Sequence, residues 1–153
     1  MQSKVAEVWK HNKDLFVNQK DLITFASLIE AEAKKQEEKK LVSSVFHNRL
    51  KINMKLQSDP TLLYYKNLIS KEKVVEIYRS DINNDHPWNT YTRFGLPATA
   101  VCNPGLDALY AAIKPKKSNF LYFVSDGKGG HRFSASLKEH NENIIEWKMN
   151  KKK

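Results

Sequence analysis

Apolar residues recur at helical rather than alternating spacing through most of the chain. Leu22, Ile23, Phe25, Ala26, Ile29 and Ala33 predict a helix from a cap at Asp21 to about Lys35. Leu41, Val42, Val45, Phe46 and Leu50, opposite Lys, Ser and Asn, predict a second from about Glu37 to Ile52. Asp59-Pro60 reads as an N-cap and a first-turn proline opening a short helix through Leu62, Leu63 and Tyr64; Lys71 to Tyr78 and Leu106 to Ile113 read as two more. The pattern then changes. Leu121 to Val124 reads as a strand, the turn Asp126-Gly127-Lys128-Gly129-Gly130 reverses the chain, and His131 to Phe133 returns as its hairpin partner. Ser136 with Glu139 three residues on is a capping-box pattern opening a last helix through Ile144, Ile145 and Trp147. Val5, Val8, Trp9, Leu15 and Phe16 put a helical segment in residues 1–20, as a connection to upstream sequence, ahead of one domain over residues 21–150. Helices with a small antiparallel sheet make an α+β class, mostly helical.

Between Ser80 and Gly105 no period survives, and Asn83, Asn84, Asp85, Pro87, Asn89, Gly95, Pro97, Asn103, Pro104 and Gly105 crowd one stretch. Irregular segments of that length are uncommon in compact domains and are usually functional or disordered. Trp88, Tyr91, Phe94 and Leu96 argue for order.

The 153 residues suffice for a core without disulfides, and the single Cys102 excludes a disulfide framework or a multi-cysteine zinc site. A net charge of +9 would suit nucleic acid, anionic lipid or an acidic polymer, but the lysines are scattered and their densest run is terminal, Lys148 to Lys153. The apolar run around Phe25 to Ile29 falls far short of the roughly 20 residues that span a bilayer. Met1 to Lys20 lacks the apolar core of a secretory signal, which leaves either a cytoplasmic protein or a part of a longer chain.

Several chemistries are excluded or left open by spacing. His11, His47, His86, His131 and His140 show no metal-ligand spacing, so no metal is expected. The glycine-rich turn leads into a strand rather than a helix, which excludes a P-loop. No nucleophile elbow occurs. Glu30 and Glu32 both lie among apolar neighbours on one helix, about 160° apart around its axis, so at most one belongs to a given active site. Burial would raise the pKa of such a carboxyl and make it a general acid near neutral pH; alternatively both reach water or Lys34 at the edge of the buried stripe. Gln57, beside Asp59, is not explained by capping. Asn89, Thr90 and Tyr91 offer an amide, a hydroxyl and a phenol suited to sugars, and His131 is either a base or a surface histidine.

The segments Ala26-Ser27-Leu28-Ile29-Glu30-Ala31-Glu32, Val45-Phe46-His47-Asn48-Arg49-Leu50, Leu56-Gln57-Ser58-Asp59-Pro60-Thr61, Asn89-Thr90-Tyr91, Gly95-Leu96-Pro97, Pro104-Gly105 and Tyr122 to His131 occur in order. Together they closely resemble the endolytic murein transglycosylase, or YceG-like, family from about Leu22 to Asn141. The sequence departs from the common family form at Ala31, Ala33 and Ala98. The resemblance implies non-hydrolytic cleavage of the β-1,4 bond between N-acetylmuramic acid and N-acetylglucosamine in peptidoglycan, leaving 1,6-anhydromuramyl ends. It assigns catalysis to Glu30, the first glutamate of its segment, and makes Glu32 and Asp59 supporting residues. Gln57, Asn89, Thr90, Tyr91, His131 and Asn141 become the expected substrate contacts. No cofactor, metal or nucleic acid is implied. Partners would be glycan strands and cell-wall synthases such as penicillin-binding proteins. A single-pass N-terminal anchor, outside this sequence, would hold the domain on the outer side of the cytoplasmic membrane. The rivals are a wall-binding module, a lysozyme-type hydrolase, and a pyridoxal-phosphate lyase whose phosphate cup the sequence lacks.

Overall fold

A computed structural model describes residues 1–152, so the last lysine of the terminal run lies outside it. The chain forms α1 (Gln2–Trp9), α2 (Gln19–Glu32), a single 3-10 turn (Gln36–Glu38), α3 (Lys39–Lys51), α4 (Asp59–Ile69), α5 (Arg79–Asn83), α6 (Leu106–Ile113), β1 (Tyr122–Ser125), β2 (His131–Ser134) and α7 (Leu137–Lys151). The expected α+β class and hairpin are present, with β1 and β2 antiparallel and Phe123 opposite Phe133.

Helix α2 lies at the centre. Leu22, Phe25, Ala26, Leu28 and Ile29 of α2 are fully buried against Ala108, Leu109 and Ala112 of α6 and Val42 and Phe46 of α3. Burying a side chain of that size contributes about 1.5–3 kcal/mol. Val5 and Val8 of α1 join the same core, so residues 1–20 pack with the helices that follow. Phe16, Phe25, Phe46 and Phe123 meet edge-on in series at centroid distances of 5.1, 6.1 and 5.9 Å, which ties the hairpin to the helical core. His47 is a core residue too: its Nε2 donates to the Ala112 carbonyl at 2.7 Å, and burial pushes its pKa down.

Four element boundaries differ from expectation, each for a local reason. Asn18, not Asp21, caps α2, because its side-chain oxygen accepts from the Asp21 N–H at 2.8 Å. The second helix starts at Lys39, after the 3-10 turn. Ser58 rather than Asp59 is the N-cap of α4, and its hydroxyl, free of cap duty, is turned to another purpose. Lys71 to Tyr78 is not helical: the Asn67 side chain exchanges hydrogen bonds with both backbone groups of Val74, at 2.9 and 2.8 Å, and Lys66 donates to the Glu76 carbonyl. The helix waits until Arg79, where the Asp81 carboxylate accepts from the Tyr78 N–H at 2.7 Å.

The irregular segment is held by side chains in place of a backbone ladder. The Asn89 amide donates to the carbonyls of Ile82 and Asn84 at 3.0 and 2.8 Å, while its oxygen accepts from the N–H groups of Tyr91 and Thr92. Trp88 donates to Thr99 at 2.9 Å, and the Val101 N–H reaches Ser27 of α2 at 3.0 Å. Five backbone groups of this segment, the carbonyls of Ile82 and Asn84 and the N–H groups of Tyr91, Thr92 and Val101, are paired in this way.

Candidate active site

A cavity of about 490 Å³ opens between the C-terminal end of α2, the loop before α4, the hairpin and α7. Glu32, Arg49, Gln57, Asp59 and Tyr91 line one side; His131, His140 and Trp147 line the other. Glu32 is the last residue of α2. Its carboxyl is pushed up to about 7, mainly by burial; the Asp59 charge adds to the rise, while a hydrogen bond from Ser58 and the Arg49 charge oppose it. The C-terminal end of a helix dipole likewise disfavours an anion. The Ser58 hydroxyl donates to Glu32 Oε1 at 2.9 Å, and Oε2 makes no hydrogen bond to the described residues. One oxygen is thus fixed while the other remains available, in a group able to give and take a proton near neutral pH.

The wall beside Glu32 is built around a buried arginine. Arg49 donates to the carbonyls of Leu121 (2.7 Å), Leu56 (2.7 Å) and Lys55 (3.2 Å), pinning the loop before α4 to the start of the hairpin. That loop passes through a left-handed Gln57 at φ +50°, a conformation costing a non-glycine residue about 1–2 kcal/mol. The Gln57 N–H donates to the Thr90 carbonyl at 3.2 Å, and the Thr90 hydroxyl accepts from the Ser58 N–H at 2.9 Å. Backbone strain at Gln57 is therefore held from both sides, with the Gln57 side chain lining the cavity.

The expected residues divide. Gln57, Asp59, Tyr91 and His131 line the cavity. The Tyr91 hydroxyl donates to Asp59, and burial with that carboxylate raises the phenol's pKa far above its ordinary value. His131 Nδ1 meets Glu38 Oε2 at 2.8 Å, and the same glutamate accepts from the His131 N–H at 2.9 Å. Asn89 and Thr90 are buried and do not line the cavity; their polar groups are occupied by the loop and by Ser58, so they support Tyr91 and Gln57 from behind. Asn141 is exposed on α7 and outside the lining, which its neighbour His140 joins instead.

The two glutamates diverge as their i, i+2 spacing requires, and Glu32 rather than Glu30 lines the cavity. Glu30 faces away from the cavity. Its oxygens lie 3.4 Å from Lys39 Nζ, and Oε2 accepts from the Gly105 N–H at 2.9 Å, so it clamps α2 to the start of α6. Glu32, expected only in support, lines the cavity together with Asp59. Arg49, His140 and Trp147 were not anticipated. Arg49 lies three residues past Phe46, on the apolar stripe of its helix, and His140 and Trp147 stand seven residues apart on one face of α7; those spacings were the available signals.

The model of the YceG-like family matches residues 1–146. The chain belongs to that family. It is 42% identical over 121 residues to the endolytic murein transglycosylase of Bacillus subtilis (strain 168), covering 79% of this chain and 32% of that one. To the endolytic murein transglycosylase of Streptococcus pneumoniae serotype 2 (strain D39 / NCTC 7466) it is 39% identical over 137 residues, covering 88% of this chain and 24% of that one. The crystal structure of a YceG-like protein from Listeria monocytogenes superposes with a TM-score of 0.82 at 35% identity, over 92% of this chain and 45% of that chain. This family member thus spans between a quarter and a third of the length of its two curated relatives.

Proposed function

We propose that this domain cuts peptidoglycan glycan strands internally as a lytic transglycosylase, with Glu32 as its acid and base. The observation that carries the reading is a single carboxyl at the cavity wall whose pKa lies near 7 and whose Oε1 is fixed by Ser58. The names of the relatives, at 39–42% identity, support the substrate class.

In this mechanism protonated Glu32 gives its proton to the glycosidic oxygen as the bond from that oxygen to the muramyl C1 breaks. The C6 hydroxyl of the same muramyl residue attacks C1, and the Glu32 carboxylate takes the hydroxyl proton. The products are a 1,6-anhydromuramyl end and a free N-acetylglucosamine hydroxyl, and Glu32 is protonated again. A pKa near neutrality suits both transfers. An internal nucleophile removes the need for a base to activate water, and its effective concentration can be very high. Asp59, held by Tyr91, supplies negative charge to the cavity in which positive charge develops at C1.

The family resemblance supports action at the outer face of the cytoplasmic membrane beside cell-wall synthases. The test of the chemistry is mass spectrometry of products from purified sacculi or uncrosslinked strands, with unmodified protein, Glu32→Gln and Glu30→Gln. Anhydromuramyl ends made by the unmodified and Glu30→Gln proteins but not by Glu32→Gln are expected. Reducing ends would mean water is the nucleophile, and strands bound without cleavage would mean a wall-binding module.

A further inference from the structure

Trp147 belongs to two cavities. Besides closing the one that holds Glu32, it lines a second of about 560 Å³ together with Asp126, Gly127, Lys128, Asn150 and Lys151. The hairpin makes the same transition: Phe123, Val124 and Ser125 line the first cavity, and the next three residues line the second. The two cavities therefore adjoin at Trp147 and at the hairpin, with α7 as a wall of both. That wall is fixed, because Glu146 pairs with Arg132 of β2 and His140 stacks on Tyr122 of β1 at 4.9 Å. Trp147, Asn150 and Lys151 lie beyond the 1–146 range matched to the family.

The lining has the chemistry of a saccharide site. A partly exposed indole offers an apolar face to the C–H side of a pyranose, while Asp126 and Asn150 at the rim can take hydroxyl and acetamido groups. Lys128 and Lys151 add positive charge, and Lys151 Nζ lies 4.9 Å from the Trp147 ring centroid. N-acetylmuramic acid carries a lactyl carboxylate where the stem peptide is absent and the peptide's terminal carboxylate where it is present, so the ammonium groups have an anionic counterpart on either kind of strand.

We propose that the second cavity is a distal subsite for the same glycan strand, with Trp147 as the stacking platform that carries it past the catalytic cavity. The proposal rests on the glycan reading above and makes the enzyme favour long strands. The test compares Trp147→Ala and Trp147→Phe with the unmodified protein, on long uncrosslinked strands and on a tetrasaccharide. Initial rates are measured by mass spectrometry, and binding is measured by calorimetry in the Glu32→Gln background. Trp147→Ala should lower long-strand binding and kcat/KM about five- to tenfold through KM, lower the tetrasaccharide values by only about two- to threefold because Trp147 also closes the catalytic cavity, and be largely rescued by Trp147→Phe. Equal losses on both lengths, or none on either, would overturn the subsite, and a fall in Tm shared by both Trp147 variants would turn equal losses into a folding effect. Because binding is read without cleavage, strands that bind but are not cut sink the catalytic reading alone, and the length dependence of binding then still decides the subsite. Strands cut equally well by Trp147→Ala sink the subsite alone.

Discussion

Glu32→Gln should stabilise this protein at high pH and leave it unchanged at low pH. The folded carboxyl titrates at about 7, against an ordinary value of 4.5, chiefly because it is buried. Between those values the folded chain keeps a proton that the unfolded chain has released, so stability falls as pH rises through that window. Below about pH 4.5 both states are protonated and the effect vanishes; above about pH 8 it is complete. At about 1.4 kcal/mol per pH unit the full effect is about 3 kcal/mol, and partial access to solvent through the cavity reduces it to about 2–3 kcal/mol. Glutamine carries no titrating group and its amide oxygen can still accept from Ser58. At roughly 2–4 °C per kcal/mol for a chain of this size, the variant should melt about 5–10 °C above the unmodified protein at pH 8, with the two curves converging by pH 4.5. Thermal melts followed by circular dichroism at four pH values read this directly, with Glu30→Gln as the control. A gain that does not vary with pH, or that grows toward acid, would refute the claim that a buried, reluctant carboxylate sits at position 32.

On the proposed mechanism the same titration sets the rate, so activity should decline as pH rises through about 7, and a profile flat from pH 5 to 9 would remove Glu32 as the acid. Ser58→Ala takes away a hydrogen bond that lowers the Glu32 pKa, so the alkaline limb should move to higher pH while kcat falls about tenfold; an unmoved limb would separate Ser58 from the acid. Glu30→Gln should keep activity within about threefold and cost about 1 kcal/mol of stability, since its charge partner is Lys39 and glutamine still accepts from Gly105. Arg49→Met frees the carbonyls of Lys55, Leu56 and Leu121 and should cost about 2–4 kcal/mol, seen as a lower urea midpoint; a loss under about 1 kcal/mol would mean that Gln57 is held without it.

Why the sequence named the helix but not the carboxyl that lines the cavity is a matter of what periodicity encodes. Period 3.6 places Glu30 and Glu32 on different faces of α2 with apolar neighbours on both, and nothing local says which face meets a cavity and which meets another helix. That is decided by chain far away: Gly105 and Lys39 arrive at Glu30, and Ser58 arrives at Glu32. The family resemblance extends to segment order and so reached the fold, and its assignment of catalysis to Glu30 rested on position in a segment that contains both glutamates, not on which of them meets a cavity. The same distance limit explains Asn89 and Thr90. Their residue types suit sugars, yet each satisfies buried backbone groups of its own loop or of the loop before α4, and only Tyr91 emerges into the cavity. Residues 71–78 were misread for a related reason, since the Asn67 side chain supplies Val74 with a pairing that propensity does not count. Gln57 is the instructive exception. A side chain with no structural task in the sequence is carried on a strained backbone, held by Arg49 and Thr90, and lines the cavity with Glu32. Strain maintained from two independent directions at a cavity wall makes Gln57, more than any amide or hydroxyl chosen by type, the side chain to test beside Glu32 for contact with a ligand.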